Sequence, residues 1–108
     1  MTKKQIEAEI QSITKQLVDK YQPEKIILFG SVAKGNFGPD SDLDVLVVKK
    51  GVDNLSPHER YCQLSKLLSY DMAMDLLVYT PYEIKKRLWL RDPFINNVLK
   101  EGRVLYGS

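Results

Sequence analysis

Apolar residues at Ile6, Ile10, Ile13, Leu17, Val18 and Tyr21 recur every three to four positions, which predicts a helix from Thr2 to about Tyr21. Thr2 and Gln5 have the spacing of a capping box, and Pro23 stops the helix because its ring cannot continue one. The period then breaks. Ile26, Ile27, Leu28 and Phe29 are contiguous, so Lys25 to Phe29 is expected as a short strand buried on both faces. A turn at Gly30 follows, then a short helix over Ser31 to Lys34 that Gly35 stops, then a loop from Asn36 to Ser41. Asp42 to Lys49 is the second strand. Ser56-Pro57-His58-Glu59 combines cap, proline and acid as a helix start, and that helix carries Tyr61, Leu64, Leu67 and Leu68 on one side. Ala73 to Tyr79 is the third strand. Thr80-Pro81-Tyr82-Glu83 repeats the start signal for a helix to about Arg91. Asp92-Pro93 opens another, which Gly102 closes, and Arg103 to Tyr106 adds a last short strand. The order α-β-α-β-α-β-α-α-β predicts an α/β or α+β fold, a sheet covered by helices.

Length fits this plan: 108 residues make one domain, expected over 1–108, with a modest single core. Hydrophobic content of 44% and charged content of 28% are those of an ordinary globular protein. A net charge of +2 gives no reason to expect direct nucleic-acid binding or a membrane surface, and Lys49-Lys50 and Lys85-Lys86-Arg87 are read as solvated edges. One cysteine, Cys62, excludes an internal disulfide and a thiolate metal site, and is expected as a small apolar filler. With no signal peptide and no long apolar run, the expected location is the cytoplasm.

The chemistry concentrates at two strand ends. Gly30-Ser31 closes the first apolar run, and a small residue there lets backbone N–H groups approach a phosphate. Asp42 and Asp44, spaced i, i+2 on a strand, point to one face about 6.6 Å apart along the chain. Asp75 lies within the later run Met74-Asp75-Leu76. Unpaired carboxylates gathered together repel and raise one another's pKa, and a charge beside apolar runs is costly. Mg²⁺ or Mn²⁺ removes that cost, because hard cations take carboxylate and phosphate oxygens. Two such ions would clamp the attacking and leaving oxygens of a displacement, with Asp42 and Asp44 bridging them and Asp75 holding one ion and taking the acceptor's proton. Phosphatases of the haloacid-dehalogenase type place their Asp-x-Asp after the strand instead of before it. Glycosyltransferases carry theirs on larger domains. Neither explains Gly30-Ser31.

Gly30-Ser31-Val32-Ala33-Lys34-Gly35, then Ser41-Asp42-Leu43-Asp44, then Asp75, closely resembles the minimal nucleotidyltransferase family of the DNA polymerase β-like superfamily. The resemblance runs from about Pro23 to Tyr79. It implies a small mixed β-sheet core flanked by helices that moves a nucleoside monophosphate, AMP from ATP above all, with Mg²⁺ and release of pyrophosphate. By that resemblance Gly30, Ser31, Lys34 and Ser41 bind the nucleotide, Asp42 and Asp44 the metals, and Asp75 the acceptor side. Lys34 stands where many members have arginine, which keeps the charge but loses the bidentate fork. The resemblance also implies an antitoxin role, with a HEPN-type ribonuclease toxin as partner, neutralised by AMP transfer to a tyrosine hydroxyl or by binding.

Three functions therefore stay open on the sequence: an enzyme acting on a protein hydroxyl, an antitoxin acting by contact alone, and a small-molecule nucleotidyltransferase of the antibiotic-modifying type. His58, the only histidine, is expected at the surface. Leu88, Trp89, Leu90, Phe94 and Ile95 form an apolar segment expected to pack into the core, with an interface as the alternative.

Overall fold

The computed structural model describes residues 2–36, 38 and 41–107. Its elements are α1 (Lys3–Lys20), β1 (Lys25–Phe29), α2 (Gly30–Ala33), β2 (Leu43–Val48), α3 (Pro57–Ser65), β3 (Met74–Tyr79), α4 (Pro81–Trp89), α5 (Pro93–Glu101) and β4 (Arg103–Tyr106). Element order follows the hydrophobic pattern throughout. In the loop expected between Asn36 and Ser41, Phe37, Pro39 and Asp40 lie outside the described residues.

Helix starts are set by side-chain chemistry. Thr2 with Gln5, Ser56 with Glu59 and Thr80 with Glu83 each form a complete capping box, and Asp92 accepts from the N–H groups of Phe94 and Ile95. The strands form one four-stranded mixed sheet in the order β3-β2-β1-β4. β1 pairs antiparallel with β2 and with β4, and β2 pairs parallel with β3 through the α3 crossover. Both faces are covered. Ile26, Leu28, Leu43, Val45, Val47, Met74, Leu76 and Val78 meet Ile6, Ile10, Ile13 and Leu17 of α1 and Leu64 of α3. On the other face Ile27, Leu46 and Val48 meet Ile95 and Val98 of α5. Each fully buried leucine or isoleucine stabilises the fold by about 1.5–3 kcal/mol, so these two layers fix which face every strand residue occupies. No helix among the described residues is long and apolar enough to cross a membrane.

Two expectations need correction. The apolar side of α3 is narrower than its pattern suggests, because the helix ends at Ser65 and leaves Leu67 and Leu68 half-buried beyond it. Tyr61 is 36% exposed, while Leu64 is sealed. The segment around Trp89 does not join the core. Trp89 is 82% exposed, Leu90 57% and Phe94 41%, and of the expected set only Ile95 is buried. α4 meets the second apolar layer through the half-buried Ile84, while Leu88 and Trp89 in its last turn stay exposed.

Tyr21 at the end of α1 is buried, yet its hydroxyl finds no partner among the described residues. Burial pushes the phenol's pKa up. Lys49 Nζ covers the ring at 5.0 Å and donates to the Tyr21 carbonyl at 2.7 Å, contacts that do not use the hydroxyl. A buried polar group without a hydrogen bond costs about 1–3 kcal/mol. Tyr21→Phe is therefore expected to leave the melting temperature unchanged or raise it. A clear fall would show that the hydroxyl has a partner.

Candidate active site

The site is built by strand register. Phe29 of β1 is the cross-strand partner of Asp44 on β2, and Asp44 is the partner of Asp75 on β3. The three residues make a row across adjacent strands, each step about 4.8 Å. Alternation along the strands puts this row on the face covered by α5, because the opposite parity (Leu43, Val45, Met74, Leu76) faces α1. Asp42 lies one residue before β2, on the parity of Asp44, and is exposed. Asp44 is half-buried and Asp75 exposed. The backbone N–H of Leu43, between the two Asp-x-Asp acids, donates to the Ala73 carbonyl at 3.0 Å and ties the mouth of β2 to that of β3.

Electrostatically the row is unfinished. The Asp44 carboxyl has its pKa raised by burial first, then by the charge of Asp75 and its side-chain hydrogen bond with Asp75, and then by Asp42. Among the described residues no ion pair engages Asp42, Asp44 or Asp75. Nor do three His, Cys, Asp or Glu side chains among them stand together as a ready-made metal cage. Asp44 and Asp75, register partners on adjacent strands, still set hard oxygen donors of net negative charge on one face. Such a donor set fits a divalent hard cation.

Gly30 borders the row. It takes φ +78° at the strand-to-helix turn, and a Cβ there would be driven into the Asp44 carboxylate. Both the backbone angle and the close approach require glycine. α2 then opens with Phe29 at its N-cap and no side-chain cap bond, in contrast to the other four helices. Among the described residues no side-chain cap takes its first N–H groups, an arrangement in which a helix start can receive phosphate. Ser31 and Lys34 are exposed beside this turn. Ser41 plays a local part: Gly38 N–H donates to its Oγ at 2.7 Å and Ser41 N–H returns to the Gly38 carbonyl at 3.2 Å, closing the loop before Asp42. Among the described residues no acceptor takes its hydroxyl hydrogen.

Gly30→Ala is expected to lower stability by about 1–3 kcal/mol through backbone strain and to displace Asp44. Thermal unfolding together with ATP binding would check this. A variant that melts and binds as the parent would show that the turn relaxes freely.

The sequence reading missed one wall of the site. Phe94 at the start of α5 meets Phe29 edge-on, with ring centroids 5.5 Å apart and planes at 84°. A cavity of about 100 Å³ beside Gly30 is lined by Phe29, Lys34, Phe94, Asn97 and Glu101. The signal was the apolar Phe94 directly after a helix-starting Asp92-Pro93, but nothing local ties it to Phe29, 65 positions earlier by number.

The chain is similar to several known proteins. A protein of Methanocaldococcus jannaschii, MJ0604, named as a candidate protein adenylyltransferase, is 37% identical over 103 residues, which cover 93% of this chain and 97% of the relative. The crystal structure of a candidate nucleotidyltransferase from Sulfolobus solfataricus superposes with a TM-score of 0.64 at 21% identity, covering 94% of this chain and 82% of that one. A toxin–antitoxin structure with AMP-PNP superposes with a TM-score of 0.60 at 27% identity, covering 92% of this chain and 73% of that one. The family described as the nucleotidyltransferase domain matches residues 10–106. That match runs from within α1 to the end of β4 and takes in the Gly30 turn and all three aspartates, so the chain belongs to the nucleotidyltransferase domain family and is a nucleotidyltransferase.

Proposed function

We propose that this single-domain protein is a Mg²⁺-dependent protein adenylyltransferase that moves AMP from ATP onto a hydroxyl of a partner toxin and thereby acts as its cytoplasmic antitoxin. The observation that carries the reading is the register row, which sets Asp44 and Asp75 side by side against the Gly30 turn. The protein-adenylyltransferase name of the M. jannaschii relative and the AMP-PNP of the toxin–antitoxin structure support protein as acceptor and ATP as donor. The resemblance of Gly30-Ser31 and Asp42-Leu43-Asp44 to minimal nucleotidyltransferases supports a HEPN-type toxin as that partner.

Asp42, Asp44 and Asp75 are the residues that would hold two Mg²⁺ ions, with Mn²⁺ as the alternative. When bound, such ions polarise the phosphoryl oxygens and offset the charge of the leaving group. The chain's own groups do the rest. Backbone N–H groups at Gly30 and Ser31 receive the β- and γ-phosphates, Lys34 adds positive charge, and Ser41 donates its hydroxyl hydrogen. Asp75, exposed on the edge strand, takes the proton as the acceptor oxygen attacks the α-phosphorus. The bond from the α-phosphorus to the β-phosphate's bridging oxygen breaks, and pyrophosphate leaves.

The test uses α-phosphate-labelled ATP, Mg²⁺, the purified protein and lysate of its source cell. A labelled protein band that disappears with EDTA supports the reading. Label that persists in EDTA contradicts it. A second reading, neutralisation by contact alone, draws on the absence of a ready-made cage among the described residues. It predicts that Asp42→Asn leaves toxin neutralisation intact, where the enzymatic reading predicts its loss.

A further inference from the structure

We propose that the basic, tryptophan-tipped end of α4 is the surface on which the protein acceptor docks, and that this acceptor presents acidic side chains around an apolar pocket. The inference rests on the protein-acceptor reading above.

α4 buries none of its residues fully. Tyr82, Trp89 and Leu90 are 67%, 82% and 57% exposed, the largest apolar exposures in the described chain. Among the described residues, the charge on α4 left without an ion pair has one sign. Glu83 is engaged by Arg60, and Asp92 by Arg87 at 2.9 Å. The nearby acids are thus neutralised from within, while Lys85, Lys86 and Arg91 are exposed and form no ion pair among the described residues. An exposed tryptophan ringed by unbalanced cations has the composition of a protein interface anchor that steers an acidic partner.

The position is also right. α4 begins where β3 ends at Tyr79, four residues beyond Asp75. α5 begins at the opposite end of the sheet, where Phe94 leans on Phe29, the register partner of Asp44. α4 therefore starts at the end of β3 away from Asp75, with Arg87 still 5.9 Å from the Tyr79 ring, and the chain has returned to the Phe29 end by Phe94, so Trp89, Leu90 and Arg91 lie on that return path. Asp75 is exposed on the edge strand, so the row is open to an acceptor from that side. A second copy of this chain is disfavoured as occupant, because a two-fold contact would set Lys85, Lys86 and Arg91 against themselves.

Trp89 is the only tryptophan, so its fluorescence reports docking without a label and without catalysis. The probes are a random glutamate–tyrosine copolymer and a lysine–tyrosine copolymer of matched length. The acidic polymer is expected to shift Trp89 emission to the blue in a saturable, salt-sensitive manner, and the basic one is not. Lys85→Glu, Lys86→Glu and Arg91→Glu together are expected to reverse that preference. No shift, equal shifts with both polymers, or a shift only with anionic vesicles or on concentrating the protein alone would overturn the proposal. With labelled ATP and Mg²⁺, Trp89→Ala is expected to lower the ratio of copolymer labelling to tyrosine-amide labelling by about tenfold or more. An unchanged ratio rejects the docking surface and leaves the adenylyltransferase reading standing. A blue shift with no label on either acceptor does the reverse.

Discussion

Asp75→Asn is expected to slow AMP transfer by about 10³-fold or more, because one group supplies both a metal oxygen and the proton acceptor. The fold should not notice. Asp75 is exposed, asparagine has the same shape, and no ion pair is lost among the described residues. Removing the charge also relieves Asp44, whose pKa is pushed up by burial and then by the charge of Asp75. The melting temperature is therefore expected to hold or rise slightly while label transfer collapses. Transfer rates and thermal melts on the same preparations check both halves. Transfer at the parent rate would remove Asp75 from the chemistry, and a collapse in both rate and melting temperature would mark it as structural.

The fold was legible wherever local chemistry decides it. Thr2, Ser56, Thr80 and Asp92 each cap a helix by bonds to residues two or three positions on, so short sequence windows contain the whole cause. Lys25–Phe29 and Arg103–Tyr106 have the expected bounds for the same reason. The aspartates were legible as a pattern, since i, i+2 spacing fixes a shared face. That Asp44 meets Asp75, and that a Cβ at Gly30 would strike Asp44, depends on strand register. Register is a property of pairs of strands. What the sequence hid is long-range. Trp89 is expected in the core by composition, with an interface as the alternative, and the tertiary packing leaves it 82% exposed. Nothing in the local sequence singles out Arg60, yet it is 4% exposed.

Arg60→Ala is expected to be the most destabilising single change outside the apolar layers, costing about 3–5 kcal/mol. The guanidinium joins four segments. Its Nε donates to the carbonyls of Val52 and Leu55 at 3.0 and 3.1 Å, and Nη1 donates to the Val78 carbonyl at 3.0 Å. Nη1 and Nη2 hold Glu83 bidentately at 2.7 and 3.2 Å. Alanine leaves the Val52, Leu55 and Val78 carbonyls without their donor and the Glu83 carboxylate without its cation. For a domain of this size that corresponds to a melting temperature lower by roughly 10–20 °C. Glu83→Gln is expected to cost far less, since the glutamate side chain is 36% exposed and water takes over part of the bond. Its contribution depends on pH in a fixed direction. The hydrogen bond from Arg60, above all, holds the Glu83 carboxyl below the usual glutamate range. The stabilisation is therefore complete above the unfolded value, near pH 4, and is lost as pH falls through the depressed folded value. Melting curves of parent and Glu83→Gln should converge on acidification, whereas Arg60→Ala stays destabilised at every pH because its lost carbonyl bonds do not titrate. Parallel curves for parent and Glu83→Gln down to strong acid would show that the ion pair contributes nothing and that Arg60 acts through Val52, Leu55 and Val78 alone.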